Sequence, residues 1–432
     1  MTKQQKQKPN KIALRRYQVD AKKSVYKALD AGSNPVVVIP TGGGKGVIIA
    51  SILRDMIRKK RRILMLTHVK ELIEQTYRHL RKFDRSLERY IGVYSAGLGV
   101  KMKRMVTLAG IQSVYRKSAL FKSTEYVLVD ECHTIPPDGF GRYQTMIGML
   151  RRNNPELRVI GFTATPYRTD SGMIVGEDRM FDTISYQATI EELTAAGWLP
   201  PLEVVESEFE PDLTDIKIIA GEFHLNDLDE RMSMPVLSRI TTKDMIVKTL
   251  DKKSVLVFAT GIKHARQLNQ MLYGYGVRTS AVFGHTDTRE RRDAVREFRR
   301  GTLKYLVSYG VFTTGFDAPN IDAVAVFRPT NSPGLNYQIQ GRALHAADKT
   351  NPVLVLDYGG NVERHGSITE PNYGKFAERE RQIKRKCIRC WVLLPPKTQE
   401  CPYCGESVGG QTTEENEVPD QHGAEDFEAE AD

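Results

Sequence analysis

A glycine-rich turn between two apolar runs is the first feature of the chain with evident chemistry. Residues 36–50 read VVVIPTGGGKGVIIA, and the turn contains Thr41, Gly42, Gly43, Gly44 and Lys45. Such a turn between a strand and a helix is typical of a phosphate-binding loop, whose backbone N–H groups and lysine surround nucleotide phosphates. The alternative is a turn that needs glycine only for positive φ. Because strand and helix patterns flank the turn, we predict a nucleotide site.

Two adjacent carboxylates, Asp130 and Glu131, follow the apolar run YVLV. Beside nucleotide phosphates such a pair can divide two tasks, since one carboxylate binds Mg²⁺ and the other orients the attacking water. We assign the first task to Asp130 and the second to Glu131; a solvated turn is the alternative. We interpret Cys132, the next residue, as a small buried apolar side chain rather than as a nucleophile.

An amide side chain precedes the turn, within the sequence LRRYQ at residues 14–18. The amide of Gln18 can pair with both N6 and N7 of adenine. Tyr17 or Arg15 would then lie near the purine ring. These residues form the predicted base-binding part of the nucleotide site.

Four of the five cysteines are confined to residues 387–404. They form two Cys-x₂-Cys pairs separated by ten residues, a spacing typical of a tetrahedral, structural Zn²⁺ site; the cysteines are Cys387, Cys390, Cys401 and Cys404. Two disulfides are the alternative, disfavoured in the reducing cytoplasm that so few cysteines indicate. The preceding run FAERERQIKRK and Trp391 fit equally a docking surface for DNA or protein and a solvated helix followed by a core tryptophan.

The charge of the chain is unevenly distributed. The net charge is +10, but the last 22 residues hold nine Asp/Glu and no Lys/Arg, so the first 410 residues carry 63 − 44 = +19. A basic body favours a polyanionic partner, and a solvated basic surface is the alternative. We expect the acidic tail to be disordered. The chain has no run of 18 apolar residues and no signal peptide, so we expect a cytoplasmic location without membrane association.

The candidate residues must be positioned by regular elements, and the apolar pattern indicates which. Near-continuous Val, Ile and Leu runs indicate strands of a parallel sheet covered on both faces, at residues 34–40, 61–68, 104–110, 125–131 and 157–165, then 254–260, 278–284, 303–310, 322–330 and 352–358. Helical periodicity between them predicts an α/β fold with two doubly wound lobes. The predicted divisions are residues 1–205 for the nucleotide-binding lobe, 206–243 for a connecting segment, 244–372 for the second lobe, 373–410 for the basic segment and zinc module, and 411–432 for the tail.

Seven short motifs resemble, in order, those of the superfamily 2 DEAD/DEAH-type helicases. They are Gln18, PTGGGK at 40–45, LTHVKELIEQ at 66–75, DECH at 130–133, TATP at 163–166, TTGFDAP at 313–319 and QIQGRALH at 338–345. The chain is more similar still to the bacterial RadD-like branch, through AGIQSVYRK, DECHTIPP, GFTATPYRTDSG, LDYGGNVERHG and the trailing cysteine module. The resemblance spans nearly residues 12–360 and implies two RecA-like lobes that use ATP and Mg²⁺.

The resemblance also implies a role for each matching residue. Lys45 would bind the β- and γ-phosphates, within a loop that extends to Gly46. Thr163 and Thr165 would couple the nucleotide site to movement of the nucleic acid. LTHVKE and AGIQS would contact the nucleic-acid backbone, and such contacts position a strand without reading its sequence.

From the second lobe, the resemblance implies that Gly315 and Asp317 face the cleft. Gln338 and Arg342 would reach across to the phosphates. ATP would hold the lobes together, and hydrolysis would release them and move the strand along.

Two residues depart from the family pattern. Gly46 replaces the usual Ser or Thr that binds Mg²⁺, and His345 replaces a second arginine. A water can stand in for the hydroxyl, because Mg²⁺ keeps several waters. An arginine that contacts the γ-phosphate contributes about 10³–10⁵ in rate, and we expect a protonated His345 to supply part of that charge. We therefore expect ATP binding with reduced hydrolysis.

The leading interpretation is an ATP-dependent DNA helicase or translocase in repair or recombination. It would bind single-stranded or branched DNA with weak sequence preference, and a DNA-repair or single-strand-binding protein is the expected partner. One alternative is a helicase-like module that binds DNA or protein without hydrolysing ATP, which Gly46 and His345 favour. The other alternative is an RNA helicase. The retained catalytic residues favour the first interpretation.

Overall fold

The computed structural model describes residues 13–136, 141–168, 172–209, 211–219, 221–312, 320–369, 385–395 and 398–408. Three predicted features lie outside these residues. They are the motif TTGFDAP with Gly315 and Asp317, the basic segment up to residue 384, and the acidic tail.

The first half of the chain forms an eight-stranded sheet flanked by helices. Its strands are β1 (Pro35–Val38), β2 (Ile63–Thr67), β3 (Ile91–Ser95), β4 (Val100–Lys101), β5 (Val106–Gly110), β6 (Tyr126–Asp130), β7 (Arg158–Thr163) and β10 (Thr183–Gln187), with β8 (Tyr167–Arg168) and β9 (Gly172–Met173) as a separate hairpin. The helices are α1 (Arg16–Asp30), α2 (Lys45–Arg58), α3 (Lys70–Phe83), α4 (Ile111–Val114), α5 (Arg142–Asn153) and α6 (Ile190–Ala195), and short 3-10 turns occupy Arg85–Tyr90, Ala96–Leu98, Ser118–Phe121 and Cys132–Thr134.

The strand order in this sheet is β10-β1-β7-β6-β2-β5-β3-β4, and only the β3–β4 pair is antiparallel. The central strands are buried on both faces, which explains their continuous apolar sequences. Val37 of β1 packs in the core beneath α1, α2 and α3, whereas Val36 and Val38 pack in the opposite core beneath α5. Because parallel strands end at one edge of the sheet, the turn after β1 and the carboxylates after β6 share that edge.

The second half forms a six-stranded, wholly parallel sheet. Its strands are β11 (Leu202–Glu206), β14 (Val255–Phe258), β15 (Thr279–Phe283), β16 (Tyr305–Tyr309), β17 (Ala323–Val326) and β18 (Val353–Asp357), in the order β11-β18-β17-β14-β16-β15. The remaining strands are β12 (Ile218–Ile219), β13 (Glu222–Phe223), β19 (Arg385–Lys386) and β20 (Leu393–Leu394), and the helices are α7 (Leu225–Met232), α8 (Pro235–Lys248), α9 (Ile262–Gly274), α10 (Thr288–Arg299), α11 (Pro333–Gln340) and α12 (Asn361–His365), with a 3-10 turn at Ala343–His345.

The region between the sheets is more regular than the sequence indicates. β11 lies inside the predicted first lobe, yet it pairs along its whole length with β18 of the second sheet. The predicted connecting segment carries the β12–β13 hairpin, α7 and the start of α8. Met232, Leu237 and Met245 of these helices pack in the core of the second sheet. The segment is therefore part of the second lobe rather than an irregular linker.

Candidate functional site

Each glycine of the turn after β1 is required, either by its backbone conformation or by a close neighbouring atom. Gly42 and Gly44 have φ values of +77° and +82°, in the left-handed region that favours glycine. A Cβ at Gly43 would lie 2.6 Å from Cγ2 of Ile39, so this position also excludes a side chain. Helix α2 begins at Lys45 directly after the turn. The free N–H groups of its first turn and the positive end of its dipole therefore face the turn, as an anion site requires.

The predicted base-binding residues lie beside this turn. The backbone N–H of Arg15 donates to Oε1 of Gln18 at 3.0 Å, which caps the start of α1. The hydroxyl of Tyr17 donates to the carbonyl of Gly43 at 2.5 Å. Gln18 is buried, and a Cβ at Gly44 would lie 2.6 Å from its Nε2 atom. The structure thus brings Gln18 and Tyr17 to the turn, and it stacks the Arg15 guanidinium 4.3 Å from the Trp198 ring, a partner that the sequence did not indicate.

The two carboxylates lie at the carboxyl end of β6, opposite Lys45. Nζ of Lys45 is 3.3 Å from Oε1 of Glu131, and both side chains are largely buried. Glu131 has φ +54°, a strained value for a non-glycine residue, and its N–H donates to Oδ1 of Asp130. The chain reverses here so that both carboxylates point into one cleft.

Burial and neighbouring charges separate the acidities of the pair. Burial, followed by the charge of Glu131, raises the pKa of Asp130 from 3.8 to about 7. Burial also acts to raise the pKa of Glu131, but the charges of Lys45 and then His133 outweigh it and hold that pKa below its ordinary value. Without a bound cation Asp130 is therefore the weaker acid of the two and the one that takes up a proton, whereas Glu131 remains ionised. The pKa of buried Cys132 is raised well above its ordinary value, so its thiol is an inert core group as predicted.

A histidine connects the carboxylates to the TATP motif. Nδ1 of His133 lies 2.8 Å from Oγ1 of Thr163 and 3.5 Å from Oε2 of Glu131. Burial lowers the pKa of His133 to about 4, so the imidazole is neutral. Oγ1 of Thr163 also accepts from the N–H of Thr165 at 3.0 Å, and Arg168 donates to the carbonyl of His133 at 2.9 Å. A shift of β7 would thus reach His133 through a hydrogen bond, and His133 in turn lies against the Glu131 carboxylate. The contacts of His133 with Thr163 and Glu131 were not predicted from the sequence, although its position two residues after Glu131 was a signal.

Side chains of both lobes line one cleft of about 180 Å³. The first lobe contributes Pro40, Thr41, Gly42, Gly44, Lys45, Leu72, Gln75, Asp130, Glu131, His133, Ala164 and Thr165, and the second contributes Tyr337, Gln338, Arg342 and His345. The backbones touch closely: a Cβ at Gly42 would lie 2.6 Å from the carbonyl oxygen of Leu344, and one at Gly341 would lie 3.2 Å from Oγ1 of Thr41. The predicted residues Gln338 and Arg342 therefore meet the phosphate turn.

His345 does not carry the charge that we expected. It lines the cleft, but burial, followed by the positive charges of Arg342, Lys349 and Lys45, holds its pKa well below the ordinary value. The imidazole is neutral at pH 7. In the nucleotide-free cleft this pKa does not support the expectation that a protonated His345 replaces part of the missing arginine, because His345 is buried beside three cations.

The space beside Gly46 is filled by a residue that the sequence did not identify. A Cβ at Gly46 would lie 3.0 Å from Nδ1 and 3.1 Å from Cε1 of His79 on α3. The helical spacing of Leu72, Gln75 and His79 places them on one face of α3, and this periodicity was the available signal. A hydroxyl residue at position 46 would have to displace the His79 ring.

The residues present suit the phosphates of a nucleotide with Mg²⁺. The turn leaves room only for backbone at three consecutive glycines, and it offers the start of α2 and one ammonium to an anion. Asp130 supplies an oxygen ligand of the kind that Mg²⁺ prefers, and Glu131 places a second carboxylate beside it. Chemically, the cleft can bind polyphosphate, orient a water on Glu131, and place the guanidinium of Arg342 near developing negative charge.

The four predicted metal-ligating cysteines converge. Their sulfur atoms all lie within 4.8 Å of one another, with Cys387 to Cys404 at 3.5 Å and Cys390 to Cys401 at 3.6 Å. None of the four forms a disulfide. Sulfur atoms at the corners of a ZnS₄ tetrahedron are about 3.8 Å apart, given Zn–S bonds of about 2.3 Å. The cluster thus fits Zn²⁺ and has no open position for substrate.

The cysteine module packs on the second lobe. Cys387, Cys390 and Cys401 share a core with residues of β14, α8 and α9. The Arg231 guanidinium of α7 lies 4.0 Å from the Trp391 ring, and the backbone N–H of Asp212 donates to the carbonyl of Trp391 at 3.1 Å. Of the alternatives for Trp391, the structure favours a packing role.

Two family models match the chain. The model for the type III restriction enzyme res subunit matches residues 11–168, and that for the helicase conserved C-terminal domain matches residues 238–347. None of the helices in the described part of the chain has the length and apolar character that a membrane crossing requires.

Individual proteins are similar over most of the chain. IRC3 of Saccharomyces cerevisiae, a candidate ATP-dependent helicase, is 28% identical over 361 residues, which cover 80% of this chain and 51% of IRC3. The DNA 3'-5' translocase XPB2 of Sulfurisphaera tokodaii is 23% identical over 82% of this chain and 83% of its own. A fragment of a candidate HsdR subunit of a type I restriction enzyme from Vibrio vulnificus YJ016 shares the fold, with TM-score 0.61 and 19% identity over 82% of this chain and 67% of that one. This chain spans about half the length of IRC3.

Proposed function

The chain belongs to superfamily 2 of the helicases, of the DEAD/DEAH type, and we propose that it is an ATP-dependent DNA helicase or translocase with slow hydrolysis. The observation that carries the proposal is the cleft between the lobes. Lys45, Asp130 and Glu131 from one lobe and Arg342 from the other line that single cleft. Bound ATP would be contacted by both lobes at once, so its hydrolysis would change their relative position.

Each residue has a distinct part in the proposed reaction. When bound, Mg²⁺ would neutralise charge on the phosphates, and Asp130 would hold it. Glu131, which remains ionised, would orient the water and accept its proton. Lys45 would leave Glu131 for the phosphates, and Arg342 would meet the charge that develops on the γ-phosphoryl group.

Two observations support slow hydrolysis. Position 46 offers no hydroxyl, and the His79 ring fills the space where a side chain would begin. His345 is neutral, so it cannot act as a second cation. The loss of one arginine that contacts the γ-phosphate lowers the rate by about 10³–10⁵.

For the substrate we propose DNA, single-stranded or branched, bound with weak sequence preference. The basic body of the chain and the name of XPB2 as a DNA translocase support this choice over RNA. The RadD-like motifs support repair or recombination as the setting and a repair or single-strand-binding protein as partner. The small number of cysteines supports a cytoplasmic location. For the cysteine module we propose a structural Zn²⁺.

An ATPase assay with and without DNA tests the proposal. We expect low turnover that rises when single-stranded or branched DNA is added, rises less with RNA, and disappears in Lys45→Ala. DNA binding should weaken by orders of magnitude between about 50 and 200 mM salt if about six phosphates are contacted. ATP binding without any DNA-dependent turnover would instead favour the non-hydrolysing module, and stronger stimulation by RNA would favour an RNA helicase.

A further inference from the structure

A second, larger cavity lies on the first lobe at the sheet edge opposite the nucleotide cleft. Its volume is about 800 Å³. Its walls are the segments that precede β2, β3, β5 and β6, which are neighbours in the sheet order β6-β2-β5-β3. Because parallel strands also begin at a common edge, the sheet brings these four segments together. We name this cavity the amino-edge pocket.

The lining of the amino-edge pocket is strongly basic. Its six cationic side chains, all on exposed residues, are Arg58, Lys60, Arg62, Arg89, Lys103 and Arg104. Asp84 is the single carboxylate of the lining, and it accepts from the N–H and the hydroxyl of Ser86 at 2.9 and 2.7 Å. The six positive charges repel one another, and a single negative charge offsets them only in part. An anion bound among them would therefore be favoured.

Two nearby carboxylates form their salt bridges with arginines outside the lining, although Glu125 also accepts a hydrogen bond from the backbone N–H of Arg62 at 3.0 Å. Glu88 pairs with Arg81, and Glu125 pairs with Arg61, and all four residues lie outside the lining. Among the described residues, no salt bridge involves any of the six lining cations. Their charge is therefore available to a ligand.

Two guanidinium groups are held in place by neutral acceptors. Arg62 donates to Oγ of Ser123 at 2.8 Å, and Arg104 donates to the carbonyl of Glu88 at 2.7 Å. The aromatic rings of the lining offer little stacking surface, since Phe121 is 2% exposed and the Arg89 guanidinium lies 4.9 Å from the centre of the half-buried Tyr90 ring. The pocket can therefore bind phosphates but offers little to a nucleobase.

We propose that the amino-edge pocket binds the phosphate backbone of DNA, as a second contact apart from the cleft between the lobes. The inference rests on the proposed function, because it takes DNA as the substrate. Three strand spacings of about 4.8 Å make the pocket about 14 Å wide, a length that contains about four phosphates of each strand along the axis of a duplex, at about 3.4 Å of axis per phosphate. Such a contact is independent of sequence and would hold a duplex segment on the first lobe.

The pocket can be altered without touching the nucleotide cleft. Strand β6 starts two residues after Thr124, which lines the pocket, and ends at Asp130 in the cleft. Five strand residues at about 3.3 Å each separate the two sites by about 16 Å. Removing charges at the pocket should therefore change DNA binding but leave the DNA-independent ATPase rate unchanged.

The test compares two full-length double variants with the wild type. Lys60→Gln with Lys103→Gln removes two pocket charges, whereas Lys23→Gln with Lys27→Gln removes two exposed charges on α1, outside the pocket. The affinity for duplex DNA is measured from about 50 to 300 mM salt. We expect the slope of log K against log salt to become shallower by about 1.8 in the pocket variant, at about 0.9 per phosphate contact, and to stay at the wild-type value in the control.

Three outcomes would count against the proposal in different ways. Equal slopes for the pocket variant and the wild type would overturn it. Loss of tripolyphosphate binding at saturating ADP, with an unchanged DNA slope, would also overturn it, because the pocket would then serve a free polyphosphate. A wild-type chain that hydrolyses ATP but binds no DNA would overturn the proposed substrate together with the pocket.

Discussion

Nζ of Lys45 lies 3.3 Å from Oε1 of Glu131, so the phosphate-binding cation is paired with the residue that we propose as the general base. The pair is largely buried, which strengthens the attraction. A polyphosphate must therefore compete with Glu131 for the ammonium group. Once the polyphosphate has bound Lys45, Glu131 is free to orient a water.

This pairing predicts that Glu131→Gln binds ATP at least as tightly as the wild type while hydrolysing it about 10²–10⁴-fold more slowly. The amide competes less for Lys45 and cannot accept a proton. Fluorescent-nucleotide titration and single-turnover hydrolysis measure the two effects. Glu125→Gln, at the opposite edge of the sheet, is the matched control and should change neither. Weaker ATP binding in Glu131→Gln would contradict the interpretation.

Asp130 should reduce the stability of the metal-free protein above neutral pH. Its pKa is 3.8 when unperturbed and about 7 in the folded chain, so the folded state keeps a proton that the unfolded state releases. Stability from this group is thus present below pH 3.8 and is lost as pH rises towards and through about 7. In EDTA, Asp130→Asn should raise the free energy of unfolding at pH 8 by roughly 1–3 kcal/mol and change it little near pH 4.

Urea denaturation at the two pH values checks this prediction. Asp348→Asn is a control of opposite sign, because hydrogen bonds from Thr350 and Asn351 hold the pKa of Asp348 below its ordinary value, and the substitution should lower stability at pH 8. Mg²⁺ should stabilise the wild type at pH 8 but not Asp130→Asn. An Asp130→Asn variant without a gain at pH 8 would show that the carboxylate is not destabilised by burial.

The contact between Gly42 and Leu344 predicts that Gly42→Ala separates the lobes. An added Cβ would lie 2.6 Å from the Leu344 carbonyl, whereas at Gly99, which also has positive φ, it would meet nothing within 4 Å. Both substitutions place an alanine at positive φ, which costs about 1 kcal/mol, but only Gly42→Ala prevents the two lobes from approaching each other. DNA-stimulated ATPase activity should be lost in Gly42→Ala and kept in Gly99→Ala. Equal activities would mean that the close approach is not needed for turnover.

Gly46 and His79 should behave as a coupled pair. Gly46→Ser alone pushes on the His79 ring, whereas Gly46→Ser with His79→Ala has room for the hydroxyl. A double-mutant cycle of unfolding free energies should give a coupling of at least about 0.5 kcal/mol in favour of the double variant. Adding His345→Arg should then raise DNA-stimulated ATPase activity at least about tenfold, since both missing groups are restored. Brisk wild-type turnover, unchanged by all three substitutions, would refute slow hydrolysis.

The cysteine module should contain about one Zn²⁺ per chain. Cys401→Ser should release the metal and loosen the packing of Trp391 on Arg231, which tryptophan fluorescence and metal analysis can follow. Cys132→Ser is the control, because this buried cysteine lies outside the cluster and its loss should leave the zinc content unchanged. Purified protein without zinc would contradict the assignment.

The strands that sequence predicted best are those buried on both faces. All ten predicted runs contain a strand, and nine of these strands are almost wholly buried, which requires apolar residues along their length; the exception is β15, at the edge of its sheet, with three half-buried residues. The missed strands lack that signal: β10 is partly exposed, and β3 contains Gly92. β11 was missed as well, since all five of its residues are half-buried or exposed and two of them are glutamates.

The sequence by itself determined the local chemistry of this protein. The phosphate turn, the paired carboxylates and the cysteine pairs are short segments whose spacing alone constrains what they can bind. The tertiary structure decided which distant groups meet: Gly42 with Leu344, Gly46 with His79, and the pairing of β11 with β18. It also decided that His345 is neutral, because burial and neighbouring cations act through space. Such contacts depend on how two sheets and their helices pack, and no local pattern encodes them.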